Sequence, residues 1–292
     1  VSKGQEDLKQ YLRRKTVKHW VKNCPNRLSS EMCRAIFLDD TVSNHVLLDG
    51  LYEADDLYAL EESFLKDLPP DAICLDVGAN IGNHSVFFSE RFSKVIAFEP
   101  NPRVALLLRA NCFGRSVSIQ ECACGEKNGE TTLYENDRNL GASGMNAADG
   151  LMHLIQVVRI DDVKEVSEAN RVDFMKLDVE GFEASVLKGA QKTLKEHRPI
   201  IAFEKLPGDD LEVFDILTGS GYQEFFECVH LFPGLRRLGQ RNLNKIVSGA
   251  SAFGLGRHLR KKAFVRMKTD SGIFGTAPLV DPRKEYPLIV AK

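Results

Sequence analysis

The sequence has no apolar run long enough to cross a membrane, and its opening residues, Val-Ser-Lys-Gly-Gln-Glu, are too polar for a secretory signal. A cytoplasmic setting is the expectation that follows. Charge of one sign is also lacking: the formal net charge is −2 over 292 residues, so no global field selects a nucleic acid or a membrane. The seven cysteines, Cys24, Cys33, Cys74, Cys112, Cys122, Cys124 and Cys228, are odd in number and scattered. They argue against a disulfide framework and for free thiols in a reducing compartment, with Cys122-x-Cys124 the one close pair. No internal repeat is present. What remains is a chain with 43% hydrophobic residues, enough for one sizeable core with or without an appended lobe, and too apolar for disorder.

The organising stretch is Ile73-Cys-Leu-Asp-Val-Gly-Ala-Asn-Ile-Gly82. Its short apolar run, bounded by Pro69-Pro70 and by glycine, predicts a buried strand, and Ile81, Val86, Phe87 and Phe88 then follow at helical spacing. The glycines therefore lie in a strand-to-helix turn, which presents backbone N–H groups and a positive helix end to a ligand. The pattern D-x-G-x-N-x-G is not the G-x-G-x-x-G of a pyrophosphate cradle, which argues against NAD. Asp76, a carboxylate at the strand end, suits a ligand with a positive amine. Glu99 ends a second strand, Lys94-Val-Ile-Ala-Phe-Glu99, 21 residues after Gly78, where an acid accepts hydrogen bonds from both ribose hydroxyls. Together these features fit S-adenosylmethionine.

Strand and helix continue to alternate, which predicts an α/β fold with a mostly parallel central sheet and helices on both faces. Residues 1–70 read as an N-terminal helical layer or lid, helical over 5–68 with helices near 29–37 and 54–66; His19 and His45 there read as surface or packing residues. Residues 71–229 form the core. Its later strands are expected at 117–122, 130–134, 157–160, 172–178, 199–204 and 222–228, with one helix from 183 to 196. Ligands of open parallel sheets bind beyond the carboxyl ends of the strands, so Asp76, Glu99, Asp178, Glu180 and Glu204 are expected on one rim. Residues 230–292 form a basic C-terminal extension, with ten Lys and Arg and no Asp or Glu between Leu231 and Lys268. So one-sided a segment fits a phosphorylated or carboxylated substrate, peripheral contact with an anionic membrane, or a nucleic acid. Nucleic acid is disfavoured because only Phe232, Phe253 and Phe264 interleave the cations. An acidic glycan or nucleotide-linked sugar is the preferred acceptor.

Several segments resemble one family. Leu75-Asp-Val-Gly-Ala-Asn-Ile-Gly82, Phe98-Glu-Pro-Asn-Pro102, Ala123-Cys-Gly-Glu126 and above all Lys176-Leu-Asp-Val-Glu-Gly-Phe-Glu183 with Leu187-Lys-Gly-Ala190 are similar to motifs of the FkbM family of S-adenosylmethionine-dependent methyltransferases. Tyr52-Glu53 resembles the family's Tyr-Glu upstream of the first strand. The resemblance covers about residues 46–228 and stops before the basic segment. It implies a class I, Rossmann-like methyltransferase, often acting on hydroxyl groups of sugars, glycans or polyketide-type products. By this resemblance Asp76, Gly78, Asn80 and Gly82 line the methionine part of the cofactor, Glu99 its ribose, and Cys122 and Ala123 its adenine edge. The chain departs from the family at Ala123-Cys-Gly125, where Ala-Leu-Gly is frequent.

Methyl transfer from a sulfonium is an in-line displacement, and alignment alone supplies up to about 7–11 kcal/mol. An alcohol acceptor also requires a base, or a metal that lowers its pKa. Asp178 and Glu180 are the leading candidates, with His84 the third; Tyr52, Glu53 and Glu204 are expected on the substrate side. Mg²⁺ between Asp178 and Glu204 is considered and not favoured, because two carboxylates are a thin ligand set. No Asn/Asp-Pro-Pro-Tyr/Phe motif follows the central strand, which disfavours a nitrogen acceptor. The expectation is an O-methyltransferase acting on a carbohydrate-like hydroxyl. The rival is a non-catalytic module that keeps the cofactor pocket and binds a polyanion or a protein partner.

Overall fold

The computed structural model describes residues 35–37, 40–135, 151–205, 211–230, 262–267 and 286–292. In chain order the strands are β1 (Ile73–Val77), β2 (Lys94–Phe98), β3 (Val117–Gln120), β4 (Ala123–Cys124), β5 (Gly129–Glu135), β6 (Leu151–Val158), β7 (Phe174–Leu177), β8 (Ile200–Lys205), β9 (Phe225–His230), β10 (Lys262–Arg266) and β11 (Tyr286–Ala291). The helices are α1 (Thr41–Asp49), α2 (Ala54–Leu60, prolonged by a π-helical turn Glu61–Leu65), α3 (Asn83–Phe88), α4 (Pro102–Asn111), α5 (Lys164–Ser167), α6 (Glu183–Lys188), α7 (Gln191–Glu196) and α8 (Glu212–Gly219).

Eight strands form one sheet in the order β10-β9-β11-β8-β7-β1-β2-β3, and β4-β6-β5 form a smaller one. The run from β3 to β8 is parallel, while β11 is inserted antiparallel between β8 and β9. The parallel strands are apolar on both faces because helices cover both. Leu75, Val77, Met175, Leu177, Ile201 and Phe203 pack on one face with Val186, Leu187, Phe214 and Leu217. The intervening Cys74, Phe174 and Ala202 pack on the other with Leu57, Leu60, Phe87 and Phe88. Each buried Leu or Phe contributes about 1.5–3 kcal/mol, so a one-residue slip that exchanged the two sets would be costly. That register aligns Asp76 with Lys176, so the two charged side chains project from the same face; Ala97 beside Asp76 and Ala202 beside Lys176 leave room for them.

The structure corrects several sequence expectations. The helix expected over 183–196 is two helices broken at Gly189-Ala190, because Gly189 lies so close to Gly125 that a Cβ there would sit 2.0 Å from its carbonyl oxygen. Strand β6 begins at Leu151 rather than at 157, and β9 begins at Phe225, after Tyr222 has turned inward to donate its hydroxyl to Pro199 O at 2.7 Å. Residues 35–37 are not helical, and the rest of the helix expected near 29–37, with residues 5–34, lies outside the described residues.

Residues of the expected C-terminal extension supply β10 and β11 to the main sheet. Lys262, in β10, donates to both oxygens of Asp56 in α2, at 2.7 and 2.6 Å, and the Cys228 thiol lies 3.2 Å from the same carboxylate. This nearly buried pair ties the N-terminal layer to the last strands. Removing one partner of such a pair leaves an uncompensated buried charge. Lys262→Met is expected to lower stability by about 3–5 kcal/mol in urea unfolding, and adding Asp56→Leu should restore most of it. An unchanged urea midpoint in Lys262→Met would separate β10 from the cooperative core.

Candidate active site

The turn after β1 is shaped by two constraints. Gly78, at φ +79°, donates its N–H to Phe98 O at 3.0 Å, and a Cβ on it would fall 1.9 Å from Asp178 O. Only glycine allows the ends of β1 and β7 to approach this closely. Asn80 is also left-handed, at φ +51°, and its own side chain accepts the Ile81 N–H at 2.7 Å. That turn aims the Asn80 N–H at Glu99 Oε2, 2.9 Å away, while Asn101 N–H donates to Oε1 at 2.8 Å. Glu99 is therefore held at both oxygens by backbone, and it is 7% exposed. Burial pushes its carboxyl up to about 7, against the pull of the two amides and of Lys176.

Beneath the turn lies a charged chain that the sequence reading did not single out. Lys176 Nζ stands 3.3 Å from Asp76, 3.1 Å from Asp178 and donates to Gly78 O at 2.9 Å. Asp76 is fully buried and accepts from Ser85 Oγ at 2.5 Å; its other oxygen has no hydrogen bond, since Lys176 is near it but poorly aligned. Burial works to lower the Lys176 pKa, but the two carboxylates outweigh it and hold the ammonium well above its ordinary range. Asp178 sits deep in the fold, yet 41% of its side chain opens to the cleft. Burial would raise its carboxyl; Lys176 first and His84 second hold it below the usual range.

A cleft of about 210 Å³ opens over these groups at the carboxyl ends of the parallel strands. Gly78, Asn80 and Glu99 line one part. His84, Asp178, Glu180 and Glu204 line it as well, with Tyr52 and Glu53 arriving from the turn before α2. That turn is pinned by Asn83, whose side chain exchanges hydrogen bonds with the Tyr52 backbone at 3.0 Å in each direction. Burial raises the Tyr52 pKa, as do the charges of Glu53, Asp178 and Glu204 and a hydrogen bond with Glu53, so the phenol stays protonated. Asp56 and Lys176 also line the cleft.

The expected site residues thus converge on the cleft, with four exceptions: Asp76, Gly82, Cys122 and Ala123. Asp76 lies below the cleft. Gly82, at φ +88°, packs against α4, where a Cβ would meet Leu108 at 2.8 Å, and it is not part of the cleft lining. Ala123, in β4, and Cys122, just before it, are buried and are not part of the cleft lining; burial raises the Cys122 thiol to about 11. Asp178 and Glu204 share the cleft, and among the described residues no three His, Cys, Asp or Glu side chains converge as metal ligands. A signal for Lys176 was present in the sequence: it is the lone cation inside an otherwise apolar strand, and its strand neighbour carries an acid.

Sheet order and cleft together define a doubly wound, Rossmann-like α/β protein whose binding site lies at the strand ends. The model of the methyltransferase FkbM domain matches residues 76–224, half of the chain, and the chain belongs to that family. Among curated relatives it is 29% identical over 156 residues to the hexuronic acid methyltransferase AglP of Haloferax volcanii, covering 53% of this chain and 64% of that protein. It is 28% identical over 147 residues to methyltransferase 1 of Beauveria bassiana, covering 41% of this chain and 59% of that one. It is 25% identical over 149 residues to the 2-O-methyltransferase NoeI of Sinorhizobium fredii, covering 44% of this chain and 61% of that one. The matches thus span somewhat less than two thirds of these relatives' lengths. No helix among the described residues is long and apolar enough to cross a membrane.

Lys176→Met leaves Asp76 and Asp178 without their cation, and a loss of about 3–5 kcal/mol is expected. The pH dependence should also change. In the wild type Asp178 titrates below its unfolded value, so its contribution is intact at pH 5 and 7.5 and is lost only in stronger acid, while the raised Glu99 carboxyl gives some stability back as pH falls through 7. Without the cation, burial raises the remaining carboxyls as well, so the variant should gain more stability than the wild type between pH 7.5 and 5; denaturant titrations at those two pH values compare the gains.

Proposed function

We propose that this chain is an S-adenosylmethionine-dependent O-methyltransferase that methylates a hydroxyl group of a sugar, glycan or related natural product. The observation that carries the proposal is the Glu99 carboxylate, fixed at both oxygens by backbone amides and lining the same cleft as a group of polar side chains. Each of its oxygens keeps a further lone pair, so the carboxylate can accept a vicinal diol such as the two ribose hydroxyls. Asp76, Lys176 and the Gly78 carbonyl give the turn its shape, and Asp178 offers a fixed negative charge to the cationic end of the ligand. The residues fit the cofactor: Gly78 and Asn80 line the cleft beside Glu99, and the Glu99 carboxylate matches ribose. When bound, that cofactor supplies an electrophilic methyl group on a sulfonium.

This chain's own work is to orient the acceptor, exclude water and take one proton. Tyr52, Glu53, Glu180 and Glu204 offer hydrogen-bonding groups suited to a polyhydroxylated acceptor. The relatives named for hexuronic acid methylation and for 2-O-methylation support a carbohydrate hydroxyl. An acidic acceptor rests on the basic segment. Of its ten cations, Lys262 and Arg266 are described, and they face Asp56 and Glu224; the other eight lie outside the described residues. The rival reading, a non-catalytic module, gains no support from these three relatives, all named as methyltransferases.

Calorimetric titration tests the proposal. S-adenosylmethionine and S-adenosylhomocysteine should bind and NAD should not, and Glu99→Ala should weaken binding at least about tenfold by removing charge-assisted hydrogen bonds. With Glu99 titrating at about 7, the ionised acceptor is lost as pH falls. Affinity should therefore drop by up to about tenfold per pH unit between 7 and 5.5 in the wild type, and stay flat there in Glu99→Gln. Binding of NAD in preference to both adenosyl ligands would overturn the reading.

A further inference from the structure

The carboxylates that crowd this cleft do not serve equally well as a base. Asp178 is engaged by Lys176 at 3.1 Å, and that ammonium holds its carboxyl low, so it takes a proton reluctantly. Glu180 is exposed to water. Tyr52 is kept protonated among Glu53, Asp178 and Glu204. His84 differs from all of them. It lines the cleft, it is 9% exposed, and its Nε2 is buried with no hydrogen bond, although Glu53 Oε2 lies only 3.4 Å away. A polar atom buried without a partner is costly, so its retention needs a reason.

The surroundings supply one. Glu53 sits in a left-handed conformation, at φ +57°, in the turn that Asn83 pins to the start of α3, the same helix that carries His84. The two side chains are therefore brought together by a short, doubly hydrogen-bonded link. The Phe88 ring flanks the imidazole at 6.2 Å and offers it no proton partner. The charged and titratable groups around the ring are Glu53 from the turn, Asp178 from the end of β7 with Lys176 behind it, and Tyr52. Both nearest charges are negative, so they favour the imidazolium once it forms.

We infer that Glu53 and His84 form a proton-accepting pair for the acceptor hydroxyl, with Glu53 fixing Nε2–H and Nδ1 receiving the proton. This inference rests on the methyltransferase reading above and assigns its base. In the step, the O–CH₃ bond forms as the CH₃–S bond breaks. The sulfur keeps the bonding pair and loses its positive charge, while the hydroxyl proton moves to Nδ1, leaving a neutral ether, a neutral thioether and an imidazolium beside Glu53. His84 is the catalytic residue of the pair; Glu53 is a positioning residue that sets its tautomer and proton affinity.

The test is a ¹⁵N–¹H nuclear magnetic resonance titration of the full chain labelled at its seven histidines, with and without S-adenosylhomocysteine, His84 being assigned by its absence in His84→Gln. The neutral ring should be the Nε2–H tautomer. Glu53→Gln should lower its proton affinity and relax the tautomer preference. On methyl β-D-glucopyranoside and methyl β-D-glucuronide as probe acceptors, His84→Gln should lower kcat at least about 100-fold with S-adenosylhomocysteine affinity unchanged. Glu53→Gln should shift the acid limb of the kcat profile downward in pH. A neutral Nδ1–H tautomer, or a tautomer and proton affinity indifferent to Glu53→Gln, would overturn the pair. Failure of S-adenosylhomocysteine to bind the wild type would instead count against the methyltransferase reading, and the titration of the unliganded chain would still decide the pair.

Discussion

One buried ammonium holds the site together. Lys176 projects from the central strand into a position where it meets Asp76, Asp178 and the Gly78 carbonyl at once. Asp76 and Lys176, this far from water, would not survive singly, because each ion desolvated alone costs several kcal/mol. Together they remain charged, and their mutual geometry fixes the distance between the ends of β1 and β7. That distance leaves no room for a side chain at Gly78. The turn it imposes aims the Asn80 amide at Glu99, so the orientation of the ribose-type carboxylate follows from a salt bridge one layer below it.

The sheet makes this arrangement reachable. Parallel register aligns Asp76 with Lys176, and the alanines on the outer neighbours leave the pair its space. Helix packing on both faces keeps that register, since a slip by one residue would exchange the two apolar sets. The outer wall of the cleft depends on more distant parts of the chain. Asp56 lines the cleft and is also gripped by Lys262 of β10, and Leu288 of β11 joins the same lining. Residues late in the sequence therefore help to hold this wall of the cleft, and the Tyr52–Glu53 turn inherits its position from helix α2 and from Asn83.

Much of the central sheet was legible in the sequence because its strands are short, apolar and punctuated by Gly and Pro. The rim acids at 99, 178, 180 and 204 were legible for the same reason, since each lies at or just beyond the end of such a strand, whereas Asp76 sits below the rim. What escaped were features that depend on contacts far apart in sequence. Lys176 reads as an ordinary charge until register sets it against Asp76, and Gly82 reads as part of a ligand loop until α4 is seen packed on it. The break at Gly189 is dictated by Gly125, more than sixty residues earlier, and no local pattern carries that information. Strands β10 and β11 were missed because the segment was read by its charge, whereas Lys262 acts through a single partner in α2.

Two carboxylates of the same cleft are driven in opposite directions, and the difference matches the chemistry proposed for each. Asp178 is held ionised by an adjacent ammonium and stays negative throughout the physiological range, as a counter-charge for a cationic ligand should. Glu99 is held near neutrality by burial, so it gains its full acceptor strength only when hydroxyl donors replace the water it has lost. A site that tunes similar side chains apart in this way separates binding from proton transfer. A group that must stay charged cannot also take a proton readily, which removes Asp178 from that role. In the proposed reaction the proton goes to His84, which among the described residues is the buried imidazole lining the cleft with a carboxylate beside it.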